Sequence, residues 1–134
     1  MLEKPSIYKG FGDIYKTMAI QKGSEILKYY SFNRQSLYLI KQEYGINKGD
    51  FEVLCTGYDL QQPKEPYFFA PDVLKRMPTV NQHEVYKYLR VLEQKGFIQK
   101  SSFKLNKRHY YQVTGSGEYV LRFYIKLLNQ LITS

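Results

Sequence analysis

Between Pro71 and Gly96 the chain is punctuated so closely that few folds remain open to it. Pro71 suits the first residue of a helix, where a missing N–H leaves nothing unpaired, and Pro78 cannot extend that helix, so a short helix is expected from Pro71 through Met77. Thr79 and Val80 then leave a tight turn. Asn81 followed three residues later by Glu84 has the form of a capping box that starts a second, longer helix, and Gly96 is suited to stop it. Short helix, tight turn and longer helix make the helix-turn-helix arrangement.

With each residue turned by about 100°, Val85, Leu89, Leu92 and Gly96 fall on one side of the longer helix and form its buried stripe. His83, Lys87, Arg90 and Gln94 project from the other side, with Gln82 and Tyr86 at its margin. After Gly96, Phe97 to Phe103 and His109 to Val113 read as two strands joined by a turn around Leu105-Asn106-Lys107. Charge gathers on this same stretch: nine Lys and Arg against two acidic residues lie between Lys75 and Val113, which is +7 of the chain's +8. Two neighbouring basic elements favour a polyanionic partner. Helix, turn, helix and basic hairpin in that order describe a winged helix, whose second helix enters the DNA major groove while the hairpin reaches the backbone or minor groove.

The flanks are helical by pattern. Residues 1–23, with Pro5, Gly10, Gly12 and Gly23, suggest an extended arm or a short irregular helix. From Ser24, a plausible N-cap, Ile26, Tyr30, Leu37, Ile40 and Tyr44 mark one face of a long helix that Gly45 ends. A further helix runs from about Lys48 to Tyr58, capped by Asn47, with Phe51, Leu54, Cys55 and Tyr58 on one side. Gln61 to Pro66 is a loop, and Tyr67-Phe68-Phe69 has the composition of a short strand. Thr114 caps a last helix, about Gly117 to Ile132, apolar over a wide arc through Val120, Leu121, Tyr124, Leu127, Leu128, Leu131 and Ile132. The expected class is mainly α with a small β-hairpin wing. Its parts are residues 1–46, an arm and long helix for dimerisation; 47–114, the winged helix-turn-helix; and 115–134, a dimerisation helix.

Other classes of function find few residues to rest on. A length of 134 residues points to one domain, and 43% hydrophobic with 24% charged content is ordinary for a globular chain. No apolar run is long enough for a membrane span. Glu3, Lys4, Lys9, Asp13 and Lys16 interrupt any secretory core at the start, so a cytoplasmic location is expected. Cys55 is the only cysteine, and His83 and His109 are not spaced as ligands, so neither a disulfide framework nor a metal is expected. No glycine-rich phosphate loop, His-Glu-x-x-His, Gly-x-Ser-x-Gly or carboxylate cluster occurs, so neither catalysis nor a cofactor is expected.

Asn81-Gln82-His83-Glu84-Val85 leading to Leu92-Glu93-Gln94-Lys95-Gly96-Phe97-Ile98, and Val113-Thr114-Gly115-Ser116-Gly117 closing the wing, resemble the MarR-like winged-helix transcription regulators. The resemblance runs from about Ser24 to the C-terminus. Lys107-Arg108-His109-Tyr110-Tyr111-x-Val113-Thr114 is also similar to the PadR-like family. The MarR-like resemblance implies a homodimer built from terminal helices, each subunit placing one recognition helix in half of a pseudo-palindrome, most simply as a repressor. Where many members carry Asp-x-Arg in the wing, this chain has Leu105-Asn106-Lys107 followed by Arg108, which passes the minor-groove role to Arg108 or removes it. Expected DNA contacts are Thr79, Asn81, Gln82, His83, Tyr86, Lys87 and Arg90, with Lys100, Lys104, Lys107 and Arg108 of the wing. Expected dimer contacts are Tyr30, Val120, Tyr124, Leu127, Leu128 and Leu131. A small-molecule effector between dimer helices and winged helix is compatible with this plan, but no residue names it. The alternative is a winged helix that meets an acidic protein and binds DNA without sequence preference.

Overall fold

The computed structural model describes residues 23–133, and the side chains of residues 27–130. Its elements are α1 (Gly23–Tyr44), α2 (Lys48–Leu60), α3 (Ala70–Arg76), α4 (Gln82–Gln94), β1 (Ile98–Leu105), β2 (Arg108–Val113) and α5 (Gly115–Thr133). The strands form one antiparallel hairpin. The N-terminal arm lies outside the described residues apart from Gly23, which is already helical, so Ser24 sits inside α1 and does not cap it.

Capping chemistry places most boundaries. Gly45 ends α1 at φ +69°, its N–H bonded to the Lys41 carbonyl at 2.9 Å. At the start of α2 the Asp50 carboxylate accepts the Asn47 N–H at 2.8 Å. Asp50 is buried, and that burial raises its carboxyl above the ordinary range, opposed by the Asn47 bond and by Lys87 and Lys95. α5 begins two residues earlier than its pattern suggests, because Thr114 caps it tightly: its hydroxyl accepts the Gly117 N–H at 3.1 Å and donates to the Gly96 carbonyl at 2.6 Å.

The core draws on every element: Ile40 of α1, Val53 and Leu54 of α2, Val73 of α3, Val85, Leu89 and Leu92 of α4, Ile98 of β1, Tyr111 of β2, and Val120 and Tyr124 of α5 are all buried. α1 packs along α5, where Asn33 accepts a hydrogen bond from the Tyr124 hydroxyl.

Several expected positions differ. Of the face expected on α1, Ile40 is buried and Leu37 and Tyr44 pack partly buried against the core, but Tyr30 is exposed, and Tyr29 and Ser36 are buried beside them. Ser36 is fully buried and Asn33 is half-buried, so hydropathy alone missed these two residues and misplaced Tyr30. Tyr58 is exposed for a similar reason, since Val53, Leu54 and Gly57 supply the contact and Gly57 lies directly against the Phe68 ring. Tyr67-Phe68-Phe69 forms no strand. Phe68 makes a single bridge, exchanging both backbone hydrogen bonds with Tyr111 at 2.9 Å, before α3 starts at Ala70. The hairpin turn is shorter than expected, only Asn106 and Lys107.

The C-terminal helix also corrects the sequence reading. Val120, Tyr124 and Leu128, expected to face a partner, are buried inside this chain's own core against α1, and Leu127 is half-buried. An apolar arc that wide serves the protomer first. The side chain of Leu131 lies outside those described. Apolar surface left open is elsewhere: Leu27, Tyr30, Tyr38 and Leu39 on α1, and Tyr119 and Ile125 on α5. Among the described residues no helix is long and apolar enough to cross a membrane, and no group of His, Cys, Asp or Glu could hold a metal ion.

Candidate nucleic-acid interface

The pose of α4 follows from both its ends and one face. At its start Asn81 Oδ1 accepts the Glu84 N–H at 2.8 Å and the Glu84 carboxylate accepts the Asn81 N–H at 3.3 Å, a reciprocal cap that contributes about 1 kcal/mol. At its end the Phe97 N–H reaches the Leu92 carbonyl at 2.9 Å and the Gly96 N–H the Glu93 carbonyl at 3.0 Å, with Gly96 at φ +78°. This is a Schellman closure, and the left-handed residue it requires is the glycine. Val85, Leu89 and Leu92 hold the inner face. Tyr88 lies across Gly49 of α2 so closely that a Cβ there would meet its ring at 2.5 Å, which locks α4 against α2.

The outer face is therefore fixed without using its own side chains. Gln82, His83, Lys87 and Arg90 are exposed and Tyr86 is half-buried. Asn81 differs from the other expected contacts because its carbonyl oxygen is engaged in the cap. Thr79 is exposed in the turn. The face divides by direction: Lys87 lies toward α2, near enough to Asp50 to oppose the rise of its carboxyl, whereas Tyr86 and Arg90 lie toward the wing and act on Tyr111. The Tyr111 hydroxyl is raised first by burial, then by Tyr86 and Glu93, with Arg90 opposing.

The wing turns back over this side of α4. Gln82 and Tyr86 of α4, Ala70 and Pro71 of α3, and Lys100, Lys104, Lys107, Arg108, His109 and Tyr111 of the hairpin line one groove of about 360 Å³. None of the described residues that line it carries a carboxylate. Among the described residues, ion pairs join Arg76 to Asp59 and Arg122 to Glu118, and none engages Lys87, Arg90 or the four wing cations. Four unpaired cations around one concave surface attract anions, and each stays available for a phosphate oxygen.

The structure thus brings Gln82, Tyr86, Lys100, Lys104, Lys107 and Arg108 together, while His83, Lys87 and Arg90 extend the surface along α4. Sequence reading left out Tyr111 and Pro71 as walls of the groove. Alternation along β2, which puts residues 109 and 111 on one side, would have found Tyr111. His109 Nδ1 lies 2.9 Å from the Ser101 carbonyl, to which it donates, so this ring is held by the hairpin itself. Cys55 is buried and its burial pushes the thiol up, which agrees with an inert core residue.

Neither a family sequence model nor a curated protein sequence matches the chain. Solved structures do. A DNA complex of MepR from S. aureus aligns with a TM-score of 0.63 at 18% identity, over 73% of this chain and 77% of that one. Apo MarR from E. coli aligns at 0.60 and 17% identity, over 84% and 79% respectively. YusO from Bacillus subtilis aligns at 0.61 and 15%, over 96% and 82%. The chain has the MarR-like winged-helix fold.

Proposed function

We propose that the protein is a transcription regulator that binds double-stranded DNA, with α4 in the major groove and the wing along the adjoining backbone. The observation that carries this reading is the groove, with no carboxylate among its described lining residues, where four unpaired cations of the wing stand beside Gln82 and Tyr86 of a rigidly seated helix. A major groove about 12 Å wide admits one helix with its side chains. Lys87 and Arg90 reach phosphates or guanine edges, Gln82 an adenine edge, and Tyr86 a phosphate or thymine methyl, while His83 and Thr79 add contacts near the helix start. The DNA-bound state of MepR, a protein of the same fold, supports this assignment.

The regulator acts as a homodimer that represses by occupying a promoter. Leu27, Tyr30, Tyr38 and Leu39 of α1 and Ile125 of α5 supply the apolar surface for the second copy, taking the place of Val120, Tyr124 and Leu128. Light scattering after size exclusion should return twice the chain mass at micromolar concentration, and a monomer would remove the dimer from this reading.

Fluorescence anisotropy against the protein's own upstream DNA and a scrambled duplex, across a salt series, tests the whole. Preference for the native fragment is expected, with affinity falling steeply as salt rises. The double variant Lys87→Ala/Arg90→Ala should lose that preference and flatten the slope by about 0.9 for each phosphate contact removed. Equal, weak binding to both duplexes, unchanged in the variant, would favour an acidic protein as the partner.

A further inference from the structure

The hairpin does not keep one register. Ile98, Gln99 and Lys100 face Val113, Gln112 and Tyr111, but Lys104 and Leu105 face His109 and Arg108, so Ser101, Ser102 and Phe103 stand opposite Tyr110 alone. β1 carries two extra residues at this bulge. The number matters because side chains alternate along a strand: one extra residue would send Lys104 to the face away from Lys100, and two bring it back. Lys100, Lys104, His109 and Tyr111 do line the same groove.

Such a bulge leaves ladder groups without their usual partners, and one residue takes up three of them. The Ser101 hydroxyl accepts the Tyr110 N–H at 3.0 Å and donates to the Phe103 carbonyl at 2.7 Å. Its own carbonyl accepts from His109 Nδ1 at 2.9 Å. Both sides of the bulge are therefore tied at Ser101, and His109 ties it from the facing strand.

We propose that Ser101, with His109, is the positioning residue of the wing: it fixes the two-residue bulge and so holds Lys104, Lys107 and Arg108 convergent with Lys100 on one phosphate-binding groove. The inference deepens the DNA-binding reading and rests on it for its ligand. Without the hydroxyl, the Tyr110 N–H and the Phe103 carbonyl lose their common partner and the bulge is free to change register. The tip cations then leave the groove while α4, seated by its own caps and core contacts, stays in place.

The test uses the full chain as Ser101→Ala, Ser101→Thr and His109→Gln. Two duplexes that differ only in the bases facing α4 are titrated across a salt series. Ser101→Ala should bind both about tenfold more weakly at low salt, with a slope lower by up to about 2.7, one phosphate contact of about 0.9 for each of Lys104, Lys107 and Arg108. The affinity ratio between the duplexes should not change, which general damage to the fold would not spare. Ser101→Thr keeps the hydroxyl and should restore the slope, and His109→Gln should fall between. In the free protein, hydrogen exchange at the Tyr110 amide should be at least tenfold faster in Ser101→Ala and unchanged in Ser101→Thr. Wild-type exchange and slope in Ser101→Ala would overturn the proposal. If the wild type binds neither duplex, the DNA reading fails, and amide exchange still decides whether Ser101 holds the bulge.

Discussion

Helix α4 and the wing form two walls of one groove but are built on opposite principles. α4 is held by Val85, Leu89 and Leu92 in the core, by a reciprocal cap at Asn81 and by a Schellman closure at Gly96. Beyond Ile98 the hairpin has Tyr111 as its one buried side chain, and its shape depends on Ser101, His109 and a two-residue turn. The helix takes its pose from hydrophobic burial and helix-end geometry, in which single buried side chains carry large free energies. The wing takes its pose from a few polar contacts, each worth about 0.5–1.5 kcal/mol. A surface built this way has one rigid wall and one adjustable wall.

The sharpest way to break the comparison is to attack the helix where it is strongest. Leu89 is 1% exposed at the centre of the core, so Leu89→Ala removes its contacts and leaves a cavity. A loss of about 2–5 kcal/mol is expected, read from urea denaturation with the denaturant slope unchanged. No single wing side chain should approach that value, and a loss below 1 kcal/mol would mean that burial does not fix α4. The base of the wing belongs with the helix in this respect. A Cβ on Gly117 would lie 2.2 Å from the Phe97 carbonyl oxygen, which explains physically why the Val113-Thr114-x-x-Gly117 segment ends in glycine.

A second substitution separates local from global effects. Asn81→Ala removes the cap acceptor for the Glu84 N–H while leaving the buried stripe intact. About 1 kcal/mol of stability should be lost. Amide exchange should quicken in the first turn of α4 and not at its Gly96 end. If exchange rises uniformly along α4, the cap is not an independent support.

The same contrast explains what could be read from sequence. Pro71, Pro78, Asn81 with Glu84, and Gly96 act locally, through missing N–H groups, side-chain caps and a left-handed residue, so each announces its boundary without knowledge of the rest of the chain. The exposed cations of α4 and the wing followed from periodicity. The polar members of the buried face of α1 did not, because Asn33 meets the Tyr124 hydroxyl and Ser36 is fully buried, choices that only the packing partner makes intelligible. For the same reason Val120, Tyr124 and Leu128 announced a buried face but not whose core would bury it. The bulge was hidden altogether: Ser101-Ser102 is ordinary in composition, and register depends on pairing with residues 109–111.

The turn of the wing gives the smallest stability effect and the clearest conflict between stability and binding. Asn106 and Lys107 have φ of 54° and 66°, as a type I′ turn requires, and the second position of that turn is one that glycine favours. Holding a lysine there costs about 1–2 kcal/mol, while glycine adds back about 0.5–1 kcal/mol of chain entropy to be lost on folding. Lys107→Gly should therefore raise stability by about 0.5 kcal/mol. Lys107 also lines the groove, so the same variant should lose close to 0.9 from the salt slope of DNA binding. A more stable protein that binds less would assign the turn's strain to keeping a cation at the tip. If stability falls instead, the left-handed lysine is not strained, and the wing is built more firmly than its contacts imply.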